Sequence, residues 1–275
     1  MIYRYFCCKN KLIMKNKSIL TLILIIIFFS ILIADNYFKN QKQQNTIENM
    51  IDEVTYLSSD KLEGRKIGTN GEKLAAEYIV KKFKEYNLEE KGTDGYYQYF
   101  QASIKENPHS RIIKKKVQGI NVIGYLDNKK EETIIIGAHY DHLGLGGSGS
   151  LSVDGEQIHN GADDNASGVS ILINLIDKLS EFKSYNYLFI AFSGEEFGLF
   201  GSSYFVKNPT IDLNKVRFML NFDMVGRLNK EGILAINGTG TSSKWNDLLK
   251  KANSHNFALK NSESGIGPSD QTSFY

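Results

Sequence analysis

The sequence predicts an α/β sandwich around a largely parallel sheet. Strand-like apolar runs alternate with helical patterns of ~10–15 residues, as strand–helix–strand units require. No repeat of about 20–50 residues is visible in the 275 residues, so solenoids and propellers are excluded. Polar clusters follow several of the apolar runs immediately, at the strand ends where open α/β sheets bind their ligands. With 41% apolar and 23% charged residues the chain can bury a core, and it is neither disordered nor fibrous.

The N-terminus stands apart from this pattern. Residues 1–17 carry Arg4, Lys9, Lys11, Lys15 and Lys17 and no acid, so a net charge of +2 for the whole chain leaves the remainder at −3. That balance offers no basic footprint for nucleic acid and makes the positive charge a targeting signal. Residues 18–34 (SILTLILIIIFFSILIA) contain no charge, and as a helix they span about 25 Å against a hydrocarbon core of ~30 Å. They predict a transmembrane signal anchor that holds the body outside the cytoplasm, periplasmic or extracellular. A cleaved signal peptide with a secreted body is the alternative; Leu32 at the −3 position makes Ala34 a poor cleavage site. Residues 35–45 are polar and read as a stalk, and 46–275 as one domain. Cys7 and Cys8 are adjacent and precede the apolar run, so they form neither a disulfide framework nor a zinc motif.

In the body, amphipathic helices are predicted at Ile47–Leu57 and Gly71–Tyr86, the second with Leu74, Ala75, Tyr78, Ile79 and Phe83 on one face. A Gly-containing loop, Leu62–Thr69, joins them. Strands are predicted at Ile120–Leu126, Thr133–Ala138, Tyr187–Phe192, Val216–Phe222 and Ile233–Ile236, and the segment 96–100 (YYQYF) reads as a strand or hairpin face. Helices are predicted at Ala166–Leu179, from Glu196 to about Val206, and at Lys244–Asn253. The stretch 143–160 is rich in Gly and Ser and linker-like.

The polar clusters carry the chemistry. His139-Tyr140-Asp141-His142 follows the run ending at Ala138, Ser193-Gly194-Glu195-Glu196 follows the one ending at Phe192, and Asp223 follows Phe222. Asp163-Asp164-Asn165 precedes the helix at 166. Each cluster alone has an ordinary reading as a turn, a helix cap or a solvated first helical turn. Their joint placement at successive strand ends points to a metal site, since an imidazole with several carboxylates suits zinc and a carboxylate can bridge two ions. Asp141, two residues from His139, is placed to hold the tautomer of the imidazole. Of the adjacent pair Glu195 and Glu196, one can bind metal while the other holds the attacking water. His142 and His159 flank the cluster and read as solvent-facing or backbone-bonded; His109 and His255 read as surface residues.

The ordered set His139-x-Asp141, Asn160-Gly161-Ala162-Asp163-Asp164-Asn165-Ala166-Ser167-Gly168, Ser193-Gly194-Glu195-Glu196 and Asn221-Phe222-Asp223-Met224-Val225-Gly226 resembles the co-catalytic zinc aminopeptidases of the aminopeptidase Y and aminopeptidase S family. Glutamate carboxypeptidase II, the transferrin receptor and glutaminyl cyclase are relatives of that family. The similarity runs from about Leu57 to the last residue, and His142 through Asn160 resembles its exported bacterial branch. The resemblance implies a three-layer sandwich with a mixed, largely parallel sheet flanked by helices, of zinc exopeptidase type. It implies two zinc ions: His139 and Asp223 on one, Glu196 on the other, and Asp164 bridging. Glu195 is then the general base and Asp141 orients His139, in a reaction that removes N-terminal residues from peptides or proteins.

One part of the family pattern is absent. The second zinc is left with only Asp164 and Glu196, whereas catalytic zinc usually has three protein ligands. The resemblance places the missing ligand, a histidine, beyond a Ser-Asp-His-x-x-Phe segment. Here Pro268-Ser269-Asp270-Gln271-Thr272-Ser273-Phe274 stands at that segment, with Gln271 in place of its histidine. Asp270 and Gln271 are the substrate-contact candidates. The chain is expected to be a fragment lacking the last strand, the last helix and the zinc-ligand histidine. The competing functions are a glutaminyl cyclase-like acyltransferase on the same fold and a non-catalytic receptor-like ectodomain.

Overall fold

The computed structural model of the chain describes residues 2–105, 113–146 and 157–275, with side chains placed for 28–104, 115–146 and 157–275. His109, the centre of the Gly- and Ser-rich stretch, and the side chains of 18–27 in the expected anchor lie outside the described residues. Two compact units are present, Met1–Asn49 and Met50–Tyr275. The helix α1 (Ile2–Leu57) makes up the first unit and supplies the opening turns of the second. Residues 35–45, expected as a stalk ahead of a helix at 47, are helical themselves. Side-chain pairs one turn apart support them: Lys39 with Asp35 at 2.7 Å, and Gln41 with Asn45 and Gln44 with Glu48 at 3.0 Å each. Among the described residues no helix is long and apolar enough to cross a membrane.

The second unit continues with α2 (Asn70–Glu85), β1 (Glu89–Glu90), β2 (Tyr97–Lys105), β3 (Ile113–Leu126), β4 (Thr133–His139), α3 (Gly168–Ser180) and β5 (Asn186–Phe192). It ends with α4 (Phe200–Lys207), β6 (Val216–Asn221), β7 (Ile233–Asn237), α5 (Trp245–Ala252) and β8 (Ala258–Ser262). The main sheet runs β1-β3-β5-β4-β6, with β2 also on β3. It is mixed. β4 lies parallel to both β5 and β6, because α3 and α4 supply the crossovers that parallel neighbours need. β1, β2 and β5 all run antiparallel to β3.

β4 and β5 are buried along their whole length, as their unbroken apolar runs demand of strands covered on both faces. Ile134, Ile136, Ala138, Phe189 and Ala191 point to one face, against Leu57 of α1, Ile79 and Phe83 of α2, and Val169, Leu172 and Ile176 of α3. Ile135, Leu188, Ile190 and Phe192 point to the other, against Phe205 of α4 and Phe274. These two apolar layers enclose the sheet and make the three-layer sandwich. A buried Glu53 in α1 accepts from Ser170 Oγ at 2.8 Å and Asn174 Nδ2 at 2.6 Å, with Lys82 Nζ 3.4 Å away, and so ties α1, α2 and α3 together.

Two expectations are corrected here. The helix predicted from Glu196 starts at Phe200, because Gly198 (φ 127°) and Leu199 (φ 56°) stand in the left-handed region and interrupt it. Residues 233–236 form a strand outside the main sheet, in a separate parallel pair of β7 with β8.

Candidate metal centre

The register of the parallel strands decides what meets at their ends. His139 lies opposite Phe192 and Gly137 opposite Asn221, so the carboxyl ends of β4, β5 and β6 stand side by side. The segments that follow carry Asp141 and His142, Glu195 and Glu196, and Asp223, and the turn entering α3 brings Asp164 to the same end.

Two groups of residues that could each hold a metal ion result. In the first, His139 Nε2 lies 3.2 Å from Asp164 Oδ1 and 3.4 Å from Asp223 Oδ1. In the second, His142 Nδ1 lies 2.5 Å from Glu196 Oε1 and 3.9 Å from Asp164 Oδ2. Within each group the donor atoms lie within 4.8 Å of one another. The two oxygens of Asp164 face the two imidazoles, one each, which is the arrangement a bridging carboxylate requires. Glu195 is close but distinct, its Oε2 3.9 Å from His139 Nε2.

The electrostatics fit a cation. Asp164, Glu195 and Asp223 converge on one nitrogen of a wholly buried imidazole, and such carboxylates repel one another unless positive charge lies between them. Burial opposes charge on His139, but hydrogen bonding to Asp141, Asp164 and Asp223 outweighs it and holds its pKa well above the ordinary value. Burial likewise pushes Asp164 up, yet His139 and His142 bring it below the usual aspartate range. Desolvation raises Glu195 to about 9, His139 partly opposing and Asp270, Asp141 and Asp223 adding to the rise. Glu196 is raised by burial against the pull of His142. The donor set, three histidine or carboxylate side chains in each group, fits what a catalytic zinc ion takes.

Further contacts fix the ligands. Asp141 is fully buried; its Oδ1 accepts from Glu195 N at 3.1 Å and lies 3.7 Å from His139 Nδ1, while its main-chain oxygen is 3.2 Å from that nitrogen. Asp141 therefore touches both the imidazole and the Glu195 turn. Asn165 Nδ2 donates to His139 O at 3.2 Å and Phe222 O at 2.9 Å, and its Oδ1 accepts from Gly168 N and Met224 N. Asp163 is in neither group and accepts from Gly226 N at 2.9 Å.

His139, Asp141, Asp164, Glu195, Glu196 and Asp223 are thus brought together as expected. Beside Asp164 and Glu196, the two side chains expected at the second group, stands a third that could hold the same ion. His142, read from the sequence as solvent-facing or backbone-bonded, is mostly buried and completes that group. The available signal was a second imidazole three residues after the first, but on an irregular segment that spacing does not fix its direction. His159 stays beside the cluster, its ring 6.2 Å from that of His142, and His255 is exposed. Asp270 is fully buried; burial raises it to about 7, with His139 opposing, and neither oxygen makes a well-aligned hydrogen bond although Ser202 also lowers it. Gln271 Oε1 lies 3.4 Å from Asn221 Nδ2, beside the end of β6.

Residues 121–275 match the family model of peptidase family M28. The chain is similar to the probable leucine aminopeptidase 2 of Arthroderma benhamiae, with 34% identity over 115 residues, 40% of this chain and 23% of that protein. It is similar to the alkaline phosphatase isozyme conversion protein of Escherichia coli K12, with 30% identity over 148 residues, 52% of this chain and 41% of that one. The chain spans less than half the length of these curated relatives. Among solved structures, a leucine aminopeptidase precursor and a glutaminyl cyclase, both of Bacteroides thetaiotaomicron, each superpose with a TM-score of 0.63 at 16% identity, covering 82% of this chain and 79% of theirs. The LapA aminopeptidase of Legionella pneumophila gives 0.57 at 21% identity, over 82% of this chain and 57% of its own. At such identities the likeness is one of fold.

Proposed function

The chain belongs to peptidase family M28, and on that premise we propose that it is an exported, membrane-anchored aminopeptidase working with two zinc ions. The observation that carries this reading is the pair of three-residue groups sharing Asp164, with Glu195 beside them. His139, Asp164 and Asp223 would hold one ion, and His142, Asp164 and Glu196 the other. Bound zinc supplies Lewis-acid polarisation of the scissile carbonyl and a more acidic water. Glu195 takes a proton from the attacking water and delivers it to the leaving amine. Asp141 holds the His139 ring and, through its bond from Glu195 N, the base as well. Gln271, beside the end of β6, is proposed to contact substrate, which is a peptide or protein with a free N-terminus, whereas the neighbouring Asp270, expected to share that role, is fully buried.

The export reading is supported by the basic residues 1–17 and the uncharged segment 18–34. It places 46–275 outside the cytoplasm. Glutaminyl cyclase activity is the second reading, since a glutaminyl cyclase shares the fold. Two three-residue groups sharing Asp164 and the adjacent Glu195-Glu196 pair favour hydrolysis.

The test uses the whole chain purified in detergent. Elemental analysis is expected to find zinc, and an aminoacyl-anilide to be hydrolysed in a chelator-sensitive way. Cyclisation of an N-terminal glutamine peptide without anilide hydrolysis would select the cyclase, and a chain with neither zinc nor turnover would overturn both. Protease digestion of the body in intact cells tests the location; complete protection would refute export.

A further inference from the structure

The strand-end clusters leave unexplained the loop between α1 and α2, which precedes the matched region 121–275. Its Arg65 has the largest fully buried side chain among the described residues, only 1% exposed, where a charged residue is rarely found without a purpose. Its guanidinium addresses main-chain carbonyls. Nε donates to Tyr140 O at 2.7 Å, Nη1 to Leu57 O and to Asn160 O at 2.7 Å, and Nη2 to Gly161 O at 2.9 Å.

Those carbonyls belong to the segments that bear the ligands. Tyr140 lies between His139 and His142, and Asn160 and Gly161 open the turn that delivers Asp164. One planar group therefore joins the source of both imidazoles to the source of the shared carboxylate. Neighbouring contacts press the same pieces together. Gly64 O accepts from Gly144 N at 3.2 Å, and Asn160 Nδ2 donates to Ser58 O and Asp60 Oδ1 at 2.7 Å each. A Cβ on Gly161 would sit 2.2 Å from the main-chain oxygen of Asp164, and 2.7 Å from both Arg65 Nη2 and His142 Cδ2, so the packing admits only glycine there. Glu63, Gly64 and Arg65 hold φ of 48°, 67° and 50°, a left-handed run that persists only where surrounding contacts over-determine it.

The charge also matters. Burial lowers Arg65 to about 10, and Asp141, Asp164 and Glu196 oppose that fall, so the group stays cationic at neutral pH beside the carboxylates of the centre.

We propose that Arg65 is a positioning residue of the metal centre, whose guanidinium sets the spacing between the His139–His142 segment and the Asp164 turn and so forms both ion pockets. The inference rests on the two-zinc reading above. Lysine cannot replace it, because an ammonium is a point donor while the guanidinium is a rigid fork of five N–H groups.

The experiment compares Arg65→Lys with the wild type and with Ile176→Ala, a core change in α3 two turns beyond its start. Zinc affinity is measured by chelator competition, the thermal midpoint without metal, and the visible spectrum of the cobalt-loaded protein. Arg65→Lys is expected to weaken both zinc affinities by about 10–100-fold, as loss of an outer partner of a ligand does, and to change the cobalt spectrum. Ile176→Ala is expected to lower the midpoint and bind zinc as the wild type does. Wild-type affinity in Arg65→Lys, or an equal loss in Ile176→Ala, overturns the proposal. Should Arg65→Lys be unfolded without metal, zinc titration followed by circular dichroism decides. Refolding only at higher zinc than the wild type requires supports the role, and no refolding at any zinc level refutes it. A wild-type chain that binds no zinc refutes the metal reading itself, a result separate from an unaffected Arg65→Lys.

Discussion

The two candidate ligand groups share Asp164 but are built from different parts of the fold. His139 is the last residue of β4 and Asp223 follows β6 by two residues, so the pleat and register of adjacent parallel strands aim them. His142 and Glu196 come from irregular segments, aimed by the contacts of the turns they sit in. The two imidazoles differ in burial: the His139 side chain is 0% exposed and that of His142 12%. They differ in support as well. His139 is held by Asp141 on its far nitrogen and by Asn165 on its carbonyl, whereas the short contact on the His142 ring is with Glu196, a side chain of its own group. A strand end preforms a ligand; a turn borrows its order from neighbours such as Arg65.

The largest expected effect leaves both groups intact. Glu195→Gln is predicted to retain zinc and lose at least ~10²-fold in kcat, the lower range for a general acid–base residue. Metal analysis with anilide kinetics checks it, and near wild-type turnover would remove Glu195 from the base role.

Asp164→Asn strikes the point where the groups join. Both zinc affinities are expected to fall by ~10²-fold or more, beyond what loss of an outer partner costs. Loss of one equivalent alone would make Asp164 a terminal ligand and break the symmetry between the groups.

The single-histidine variants separate strand end from turn. His142→Ala should lose one zinc equivalent and keep its metal-free thermal midpoint. His139→Ala should lose the other and fall by about 2 kcal/mol, roughly 4–8 °C, because it opens a buried cavity and leaves carboxylates without their cation. Equal midpoints in the two variants would erase the distinction drawn from their burial.

The smallest effect is in pH. Without metal, Glu195 (about 9), Glu72 (about 7), Asp270 (about 7) and His139 all have raised pKa values, each buried and desolvated, with His139 held up by its carboxylates. The folded chain then binds more protons than the unfolded one, from the ordinary carboxylate range up to about pH 9, so its stability falls as pH rises through that window. Asp164, with a lowered pKa, opposes this only at acid pH. Thermal midpoints of the metal-free chain should decline from pH 5 toward 9, and zinc should flatten the decline; a rise with pH would contradict the assignment.

Much of this was legible in the sequence because it is written in period and position. Unbroken apolar runs such as Ile134–Ala138 and Leu188–Phe192 identify strands covered on both faces, and a polar residue directly after such a run must emerge at a sheet end. That is why His139, Glu195, Glu196 and Asp223 could be named, and why α3 was expected close to its observed place. Three matters were decided only by the tertiary structure. His142 became a member of the second group through the course of a turn whose direction no periodicity encodes. β7 and β8 left the main sheet for a pair of their own, since strand pairing is a long-range choice that a five-residue run does not specify. Arg65 went into the interior, against the rule that charge stays in water, because carbonyls far apart in the chain, at Leu57, Tyr140, Asn160 and Gly161, converge on its guanidinium once the sheet has formed. Local sequence sets the direction of a residue in a regular element, but where irregular segments meet, direction follows from what surrounds them.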